Sequence, residues 1–356
     1  MTEAAPKLAE ADRIVQIFED VFLTYLAGVA MITGIITSLL SLLIFRRDSQ
    51  TSKSTRLLLS MVAFSDFNLL VSAFFFYLVR EAIPKGQPGR AFFEHPIVFS
   101  LLFYISNVFE LFRNWLLVVI SFERLLFFLK PIEFKTVWRL RTVKSVIAGL
   151  IFFSLLARLP GVVYAFTENL RSRPLRVHRL SKLLHTSTDC ILLTSLPITL
   201  MTLICIVTTR RMRRVMRIKL RLMKGGSELS QMTATLGETT NPNEAKSKTQ
   251  RKPNRIIKII HVVLTVFISF SLPSIPASSL QFYVVYHNVR NSALLWTLQI
   301  FRAISNFTSM LNSTANFFVY IFQSRRYRSI LAQLLCLDKI YPSLKHESTV
   351  THISHR

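Results

Sequence analysis

Long runs of apolar residues, separated by short polar segments, dominate the chain. A bilayer core of about 30 Å requires roughly 20 apolar residues in helical form, and seven stretches reach that length. They cover residues 21–45, 57–79, 97–122, 143–166, 186–207, 256–285 and 293–322. We number these stretches as spans one to seven. The pattern predicts an all-α membrane protein built as a bundle of seven transmembrane helices.

The polar segments predict how the rest of the chain is organised. Residues 1–20 are mixed and acidic without a short apolar core, so we expect no cleavable signal peptide and an extracellular N-terminus. Residues 21–322 form the membrane domain, in which about 212–251 make a long basic cytoplasmic loop. Apolar and basic positions alternate along residues 323–337, which predicts an amphipathic eighth helix on the membrane surface. Residues 338–356 are expected to be a cytoplasmic tail.

Charge predicts the orientation of the bundle. The chain is 51% apolar, has a mean hydropathy of +0.40 and carries a net charge of +25. Lys and Arg are retained on the cytoplasmic side of membranes. With the N-terminus outside, 30 of the 44 basic residues fall in inner segments and 11 in outer ones. The basic excess therefore reflects topology, and it gives no support to a nucleic-acid partner.

Several short motifs occur in a fixed order on the predicted spans. They are Asp66 on span two, Glu123-Arg124-Leu125 at the end of span three with Pro131 beyond it, and Asn316 followed by Tyr320 on span seven. This ordered set resembles the rhodopsin-like (class A) G-protein-coupled receptors across the whole chain. The Asn-Phe-Phe-Val-Tyr ending is similar to invertebrate FMRFamide-like neuropeptide receptors and to worm chemoreceptors.

The resemblance implies a multi-pass receptor of the plasma membrane. Such a receptor binds an extracellular peptide or small ligand, activates a heterotrimeric G protein, contacts membrane lipids and has no cofactor, metal or reaction of its own. Arg124 is then a switch residue that pairs with Glu123 at rest, and Pro131, Asn316 and Tyr320 belong to the same activation machinery. The alternative for Arg124 is an interfacial anchor, the commoner role of an arginine at a helix end.

A buried polar network is predicted around Asp66. A carboxylate at mid-bilayer costs about 2.5–3.5 kcal/mol on insertion scales, so it requires a partner. In the family that this chain resembles, the acid helps to hold a sodium ion, assisted by a small hydroxyl residue on helix three. This chain has Arg113 in place of that hydroxyl residue. We expect Arg113 to pair with Asp66, with Glu110 and Asn312 in the same network. Alternatively, Glu110 and Arg113 form only a structural pair along their helix.

Two prolines and three apolar residues complete the predicted switch. Pro197 and Pro273 each remove a backbone hydrogen bond and permit a kink in spans five and six. The resemblance places Leu117, Ile120 and Phe267 in an apolar layer between the ligand side and Arg124. Alternatively, the prolines cause only passive bends, which are equally common in membrane helices. The three apolar residues are equally compatible with ordinary core packing.

Residues on the outer side of the spans restrict the class of ligand. Span seven has no lysine for a retinal Schiff base, which disfavours an opsin. Ser106 stands where amine receptors place an acid, which disfavours a monoamine ligand. Basic residues after span four, including Arg171, Arg173 and Arg176, favour an acidic peptide or a small anion. Acidic residues near the outer side, Glu110 among them, favour a basic peptide instead, and both interpretations stay open.

Cys336, at the end of the amphipathic segment, is a candidate for palmitoylation, against the alternative of an unmodified thiol. The main rival function is a seven-span transporter or channel that uses the buried charges of Asp66 and Arg113. A membrane enzyme is disfavoured, because no His or acid cluster with metal-ligand spacing occurs within the spans.

Overall fold

The computed structural model describes residues 4–84, 86–129, 134, 138–168, 175–211, 213–214, 265–289 and 291–335. Helices are the regular secondary structure within these ranges. In chain order, α1 joins Ala4–Glu19, a π-helical segment at Asp20–Leu26 and Ala27–Arg47; α2 joins Lys53–Ala73, a π-helical segment at Phe74–Val79 and Arg80–Ala82; α3 is Pro96–Leu129; α4 is Leu140–Glu168; α5 joins Leu175–Thr188, a π-helical segment at Asp189–Ser195 and 196–211; α6 joins 265–271 and Ser274–His287; α7 is Ser292–Gln323; and α8 is Arg325–Leu334. A short helix, Pro88–Glu94, lies between α2 and α3.

The first seven helices form a closed ring. Each of them packs against the next along the chain, and α7 returns to contact α1. Within the described residues, α1 to α5 are long and apolar enough to cross a membrane. Large apolar side chains also cover the outer surface, as on α4, where Phe152 is 64% exposed. The prediction of an all-α, seven-helix membrane bundle is confirmed.

Small residues allow α1, α2 and α7 to approach closely. A Cβ atom added to Gly34 would lie 2.5 Å from Thr314 Oγ1 and 2.6 Å from Leu70 Cδ1. The Thr314 hydroxyl in turn donates to the carbonyl of Ala30 at 3.0 Å. Close backbone approach of this kind is how helices associate in lipid, where burial of apolar surface gives little driving force.

Two helices begin well before the predicted span boundaries. α1 starts at Ala4, so much of the predicted N-terminal segment is helical, and Asp12 accepts a hydrogen bond from Trp296 Nε1 of α7 at 2.6 Å. α5 starts at Leu175, inside the segment between spans four and five that the predicted span boundaries assign to a connection outside the membrane. That assignment was wrong because hydropathy detects only the part of a helix that lies in lipid, and the exposed outer part of α5 is basic.

The kink site at Pro197 has a specific structural form. Proline lacks an N–H, so Pro197 cannot donate to the carbonyl of Leu193 one helical turn earlier. The π-helical segment Asp189–Ser195 lies directly before it. Side chains of α3 satisfy the carbonyls there, since Asn114 Nδ2 donates to Leu193 and Trp115 Nε1 donates to Leu192, both at 3.1 Å. The interruption is therefore a packed contact between α3 and α5.

α6 is interrupted at the second predicted kink. The helix 265–271 ends at a turn formed by Leu272 and Pro273, and the next helix begins at Ser274. The N–H of Ile275 donates to the carbonyl of Leu272 at 3.1 Å, which is the tighter bonding of a turn.

α8 is the predicted amphipathic helix. Ser324 caps its first turn by accepting from the N–H of Tyr327 at 3.3 Å. Its apolar side packs against a buried cluster that contains Phe45 of α1 and Tyr320 of α7. On its polar side, Arg326 forms an ion pair with the buried Asp48, a contact that the sequence did not predict. Cys336 and Pro131 lie outside the described residues.

The orientation of the bundle gives a direct prediction. Basic residues mark one end, at Arg46 and Arg47 of α1 and at Arg325 of α8. Because such residues stay in the cytoplasm, an N-terminal epitope tag should be stained on intact cells and a C-terminal tag only after permeabilisation. The reverse pattern of staining would overturn this orientation.

Candidate functional site

A large cavity opens between the helices on the side opposite the basic ends. It has a volume of about 430 Å³ and is lined by residues from α1 to α7; we call it the main cavity. Among the predicted ligand-binding residues, Ser106 and Glu110 line it. Arg176 is exposed on α5 and is not part of the lining, while Arg171 and Arg173 lie outside the described residues.

Arg113 lies at the floor of the main cavity and connects three helices. Its side chain is 2% exposed, and Nη1 lies 3.7 Å from Oδ1 of Asp66, which is equally buried. The same nitrogen donates to the hydroxyl of Ser313 and to the carbonyl of Ser309. Nε and Nη2 both donate to Oδ1 of Asn114, at 3.2 and 3.1 Å. The guanidinium group thus satisfies its donors as a buried cation requires.

Glu110 and Asn312 occupy the same region but do not pair directly with Arg113. The hydroxyl of Ser309 donates to Oε1 of Glu110 at 2.6 Å, so Ser309 connects the carboxylate to the arginine through its own carbonyl. The expected direct sharing of Arg113 by Glu110 is absent from the described contacts. Asn312 is 2% exposed and lines the main cavity, and its Oδ1 accepts no hydrogen bond from a described residue.

Asp66 also connects the floor of the cavity to the inner motifs. Asn316 Nδ2 donates to its Oδ2 at 2.9 Å. A space of about 10 Å³ beside the carboxylate is lined by Asn316 and Tyr320, among others. That volume accommodates about one water molecule. The space is small because Arg113 fills the side of Asp66 that faces the main cavity.

Tyr320 is buried at the inner end of α7. Its ring meets Phe45 of α1 and Tyr327 of α8 edge-on, with centroids 5.6 and 6.4 Å apart. Aromatic pairs favour this geometry. Tyr320 therefore links the small space beside Asp66 to the packing of α8.

Glu123 has a different partner from the predicted one. Its side chain is 1% exposed, and Oε1 accepts a hydrogen bond from Thr55 Oγ1 of α2 at 2.6 Å. The described contacts contain no ion pair between Glu123 and Arg124. The predicted pairing is not formed because adjacent residues on a helix point about 100° apart, and Glu123 faces Thr55 of α2.

The apolar layer lies below the main cavity. Leu117 and Phe267 are buried in one cluster, and Ile120 packs against it. Phe267 and Ile198 also line the main cavity, so this cluster forms part of its base. The structure brings these three residues together, an arrangement that both a switch layer and ordinary core packing predict.

One charged cluster in the wall of the main cavity was missed by sequence reasoning. Arg158 of α4 is 1% exposed and forms an ion pair with Asp189 of α5, and His185 Nε2 lies 3.4 Å from Oδ2 of the same carboxylate. His185 also stacks on Tyr164 at 5.7 Å. The available signal was Arg158 itself, since a charge within an apolar span requires a partner.

Comparison with known families agrees with this arrangement. Residues 38–320 match the family model described as 7 transmembrane receptor (rhodopsin family). That family consists of receptors and not of enzymes. No curated protein matches the chain.

Proposed function

The chain belongs to the rhodopsin family of seven-transmembrane receptors, and we propose that it binds a neuropeptide in the main cavity and activates a heterotrimeric G protein at its inner face. The proposal places it in the plasma membrane, with lipids against the exposed apolar surface of the bundle. The ring of helices supplies the ligand side and the cytoplasmic side that such a function requires.

The polar network below the cavity carries this proposal. Glu110 faces the ligand side and connects through Ser309 to Arg113, which pairs with Asp66. Asp66 in turn accepts from Asn316. A ligand that moves Glu110 or α7 therefore alters contacts that reach the inner half of the bundle.

The inner face supplies the other half of the proposed switch. Arg124 stands at the inner end of α3. Among the described contacts it forms no ion pair with Glu123, so its guanidinium group is available to a partner helix. α6 carries the break at Pro273 that would let its inner part move relative to the cavity. In this reading, opening of α6 exposes Arg124 to the G protein.

A peptide suits the cavity better than a small monoamine. The lining contains acids, arginines, amides and aromatic rings, among them Glu110, Arg302, Gln281 and Phe270. A volume of about 430 Å³ accommodates the end of a peptide, with the rest extending towards the outer surface. This mixture offers a peptide terminus both charged and stacking contacts.

A peptide-library screen on cells that express the receptor with a promiscuous G protein tests the proposal. We expect at least one peptide class to evoke a signal, and Arg124→Gln should reach the surface but lose that signal. The rival transporter or channel predicts ligand-evoked current or substrate uptake that survives Arg124→Gln. The cluster of Leu117 and Phe267 across the base of the cavity argues against such a path.

A further inference from the structure

A second cavity adjoins the main cavity between α4, α5, α6 and α7. It has a volume of about 250 Å³, and we call it the side cavity. The two cavities share Tyr164, Gln281, Gln299 and Arg302, so a ligand in one can reach the other. The charged residues of its lining are two cations, Lys182 and Arg302, and the lining contains no acid.

Arg302 forms no close ion pair with a described residue, and its charge acts on Asp189 only at longer range. Its side chain is exposed to the space of both cavities and makes no hydrogen bond or ion pair within that part of the chain. Arg113 and Arg158, in contrast, are buried and paired with Asp66 and Asp189. Arg302 is therefore a cation presented to an incoming molecule.

The acids close to the main cavity already have partners. Asp189 pairs with Arg158 and His185, Glu168 Oε2 lies 3.2 Å from His178 Nε2, and Glu110 accepts from Ser309. Asp189, the acid that the charge of Arg302 reaches, is thus bound closely by two other groups, and no acid contacts Arg302 directly among the described residues.

Lys182 adds a second cation from the facing helix. Its Nζ lies 5.8 Å from the centroid of the Tyr164 ring, which holds the side chain along the wall without neutralising it. Gln281 and Gln299 supply amide groups to the lining of this cavity. Arginine, lysine and amide N–H groups are all donors, which suits an anion with two oxygens.

The remainder of the side cavity is apolar except for Thr186, whose hydroxyl donates to the carbonyl of Lys182. Val284 and Leu298 are 8% and 7% exposed, and Val285 and Leu295 extend the same wall. An anion bound between Lys182 and Arg302 would therefore carry an apolar group against this wall. Inorganic anions leave that wall uncovered.

We propose that the side cavity binds a carboxylate attached to an apolar group, with Arg302 and Lys182 holding the carboxylate. The inference rests on the proposed receptor function and specifies its ligand: a peptide whose free C-terminal carboxylate follows an apolar residue. A fatty acid presents the same chemistry. A C-terminally amidated peptide presents no anion to these cations unless an acidic side chain takes that place.

Thermal unfolding of the purified full-length receptor with small probes tests the proposal without a signalling assay. The probes are N-acetyl-Phe-Leu as the free acid, its C-terminal amide, octanoate and octanamide. We expect the acids to raise the unfolding midpoint in a saturable way and the amides not to. Arg302→Gln and Lys182→Gln should each weaken the acids about tenfold, the loss of one charged hydrogen bond.

Arg179→Gln is the matched control, because Arg179 is an exposed cation of α5 that does not line either cavity. It should leave probe affinity unchanged, and Arg302→Lys should retain part of it. Equal midpoint shifts with acid and amide, no shift with any probe, or an equal loss in Arg179→Gln would overturn the proposal. Stabilisation by octanoate alone would support the anion site and contradict a peptide as its source.

A failure of this test differs from a failure of the proposed function. If peptides activate a G protein while acids and amides stabilise the receptor equally, the receptor function stands and the carboxylate site is wrong. If the acids bind as expected and no peptide evokes a signal, the site stands and the neuropeptide proposal loses its support.

Discussion

Replacing Arg113 with serine should lower the stability of the receptor by about 3–5 kcal/mol in buffer without sodium. The substitution leaves Asp66, 2% exposed, without the cation that lies 3.7 Å away. It also removes the donor to Asn114 within α3 and the donors to Ser309 and Ser313 that connect α3 to α7. An unpaired carboxylate at this depth is costly, because sodium-free buffer offers no small cation to replace the lost partner.

Sodium should distinguish the wild-type receptor from this variant. In the wild type the guanidinium group occupies the place beside Asp66, so exchanging sodium for choline at fixed ionic strength should leave the unfolding midpoint unchanged. In Arg113→Ser the vacated space and the new hydroxyl admit a cation, and sodium should restore part of the lost stability. Thermal unfolding of purified protein measures both effects.

The double variant Asp66→Asn with Arg113→Ser is the matched control. It removes both charges and keeps the volume change of the single variant. We expect it to be more stable than Arg113→Ser in choline and insensitive to sodium. A strong sodium effect on the wild type, or equal stability of the single and double variants, would show that Arg113 does not replace the ion.

Ligand-free signalling that rises with surface expression is the second expected result. In related receptors an acid at the inner end of helix six braces the helix-three arginine, and this chain has Lys252, Asn254 and Arg255 around the corresponding position. Those residues lie outside the described ranges, but none of them carries a carboxylate. Glu123, the remaining local acid, accepts from Thr55 instead of pairing with Arg124.

The size of this signal follows from how weak the remaining restraint is. Because Glu123 bonds to Thr55, the closed state lacks even the roughly 0–1 kcal/mol that a surface-type pair with Arg124 would contribute. A gap of about 1 kcal/mol between the closed and open states leaves the open state populated at about one part in ten. Arg255→Glu adds a carboxylate that can brace Arg124 and should reduce basal signalling severalfold. A second-messenger assay across a range of surface densities measures it.

Arg255→Gln is the appropriate comparison, since it removes the positive charge without adding an acceptor for Arg124. It should leave basal signalling closer to the wild-type level than Arg255→Glu does. Silence of the wild type at high density, or equal signalling by the two variants, would indicate that contacts such as Asp66 with Arg113 hold the bundle closed.

Hydropathy was sufficient to predict the bundle, because each span must satisfy its backbone inside lipid and only a helix does so alone. It was insufficient for helix length. The part of α5 before residue 186 lies outside the apolar stretch, and Arg176 and Arg179 are exposed there. Solvated helices of this kind carry charge on their surface and resemble loops in composition.

Partners of buried charges were predictable only where one candidate stood out. Asp66 and Arg113 are brought together, since each is costly in lipid without the other. Arg158 had no obvious partner, because Asp189 lies on another span, near its outer end. For Glu123, adjacency in the sequence suggested Arg124 as the partner, but the fold places Thr55 of another helix against it.

The π-helical segment Asp189–Ser195 also fixes the angular position of everything outside it on α5. Each residue of a helix advances the chain by about 100°, and π-helical bonding accommodates an extra residue without a loop. Deleting one residue within the segment would restore regular winding and turn the outer part of α5 by that angle. His185 and Lys182 would then face away from the two cavities. The geometry of the ligand side therefore depends on the number of residues in this segment and not on any particular side chain.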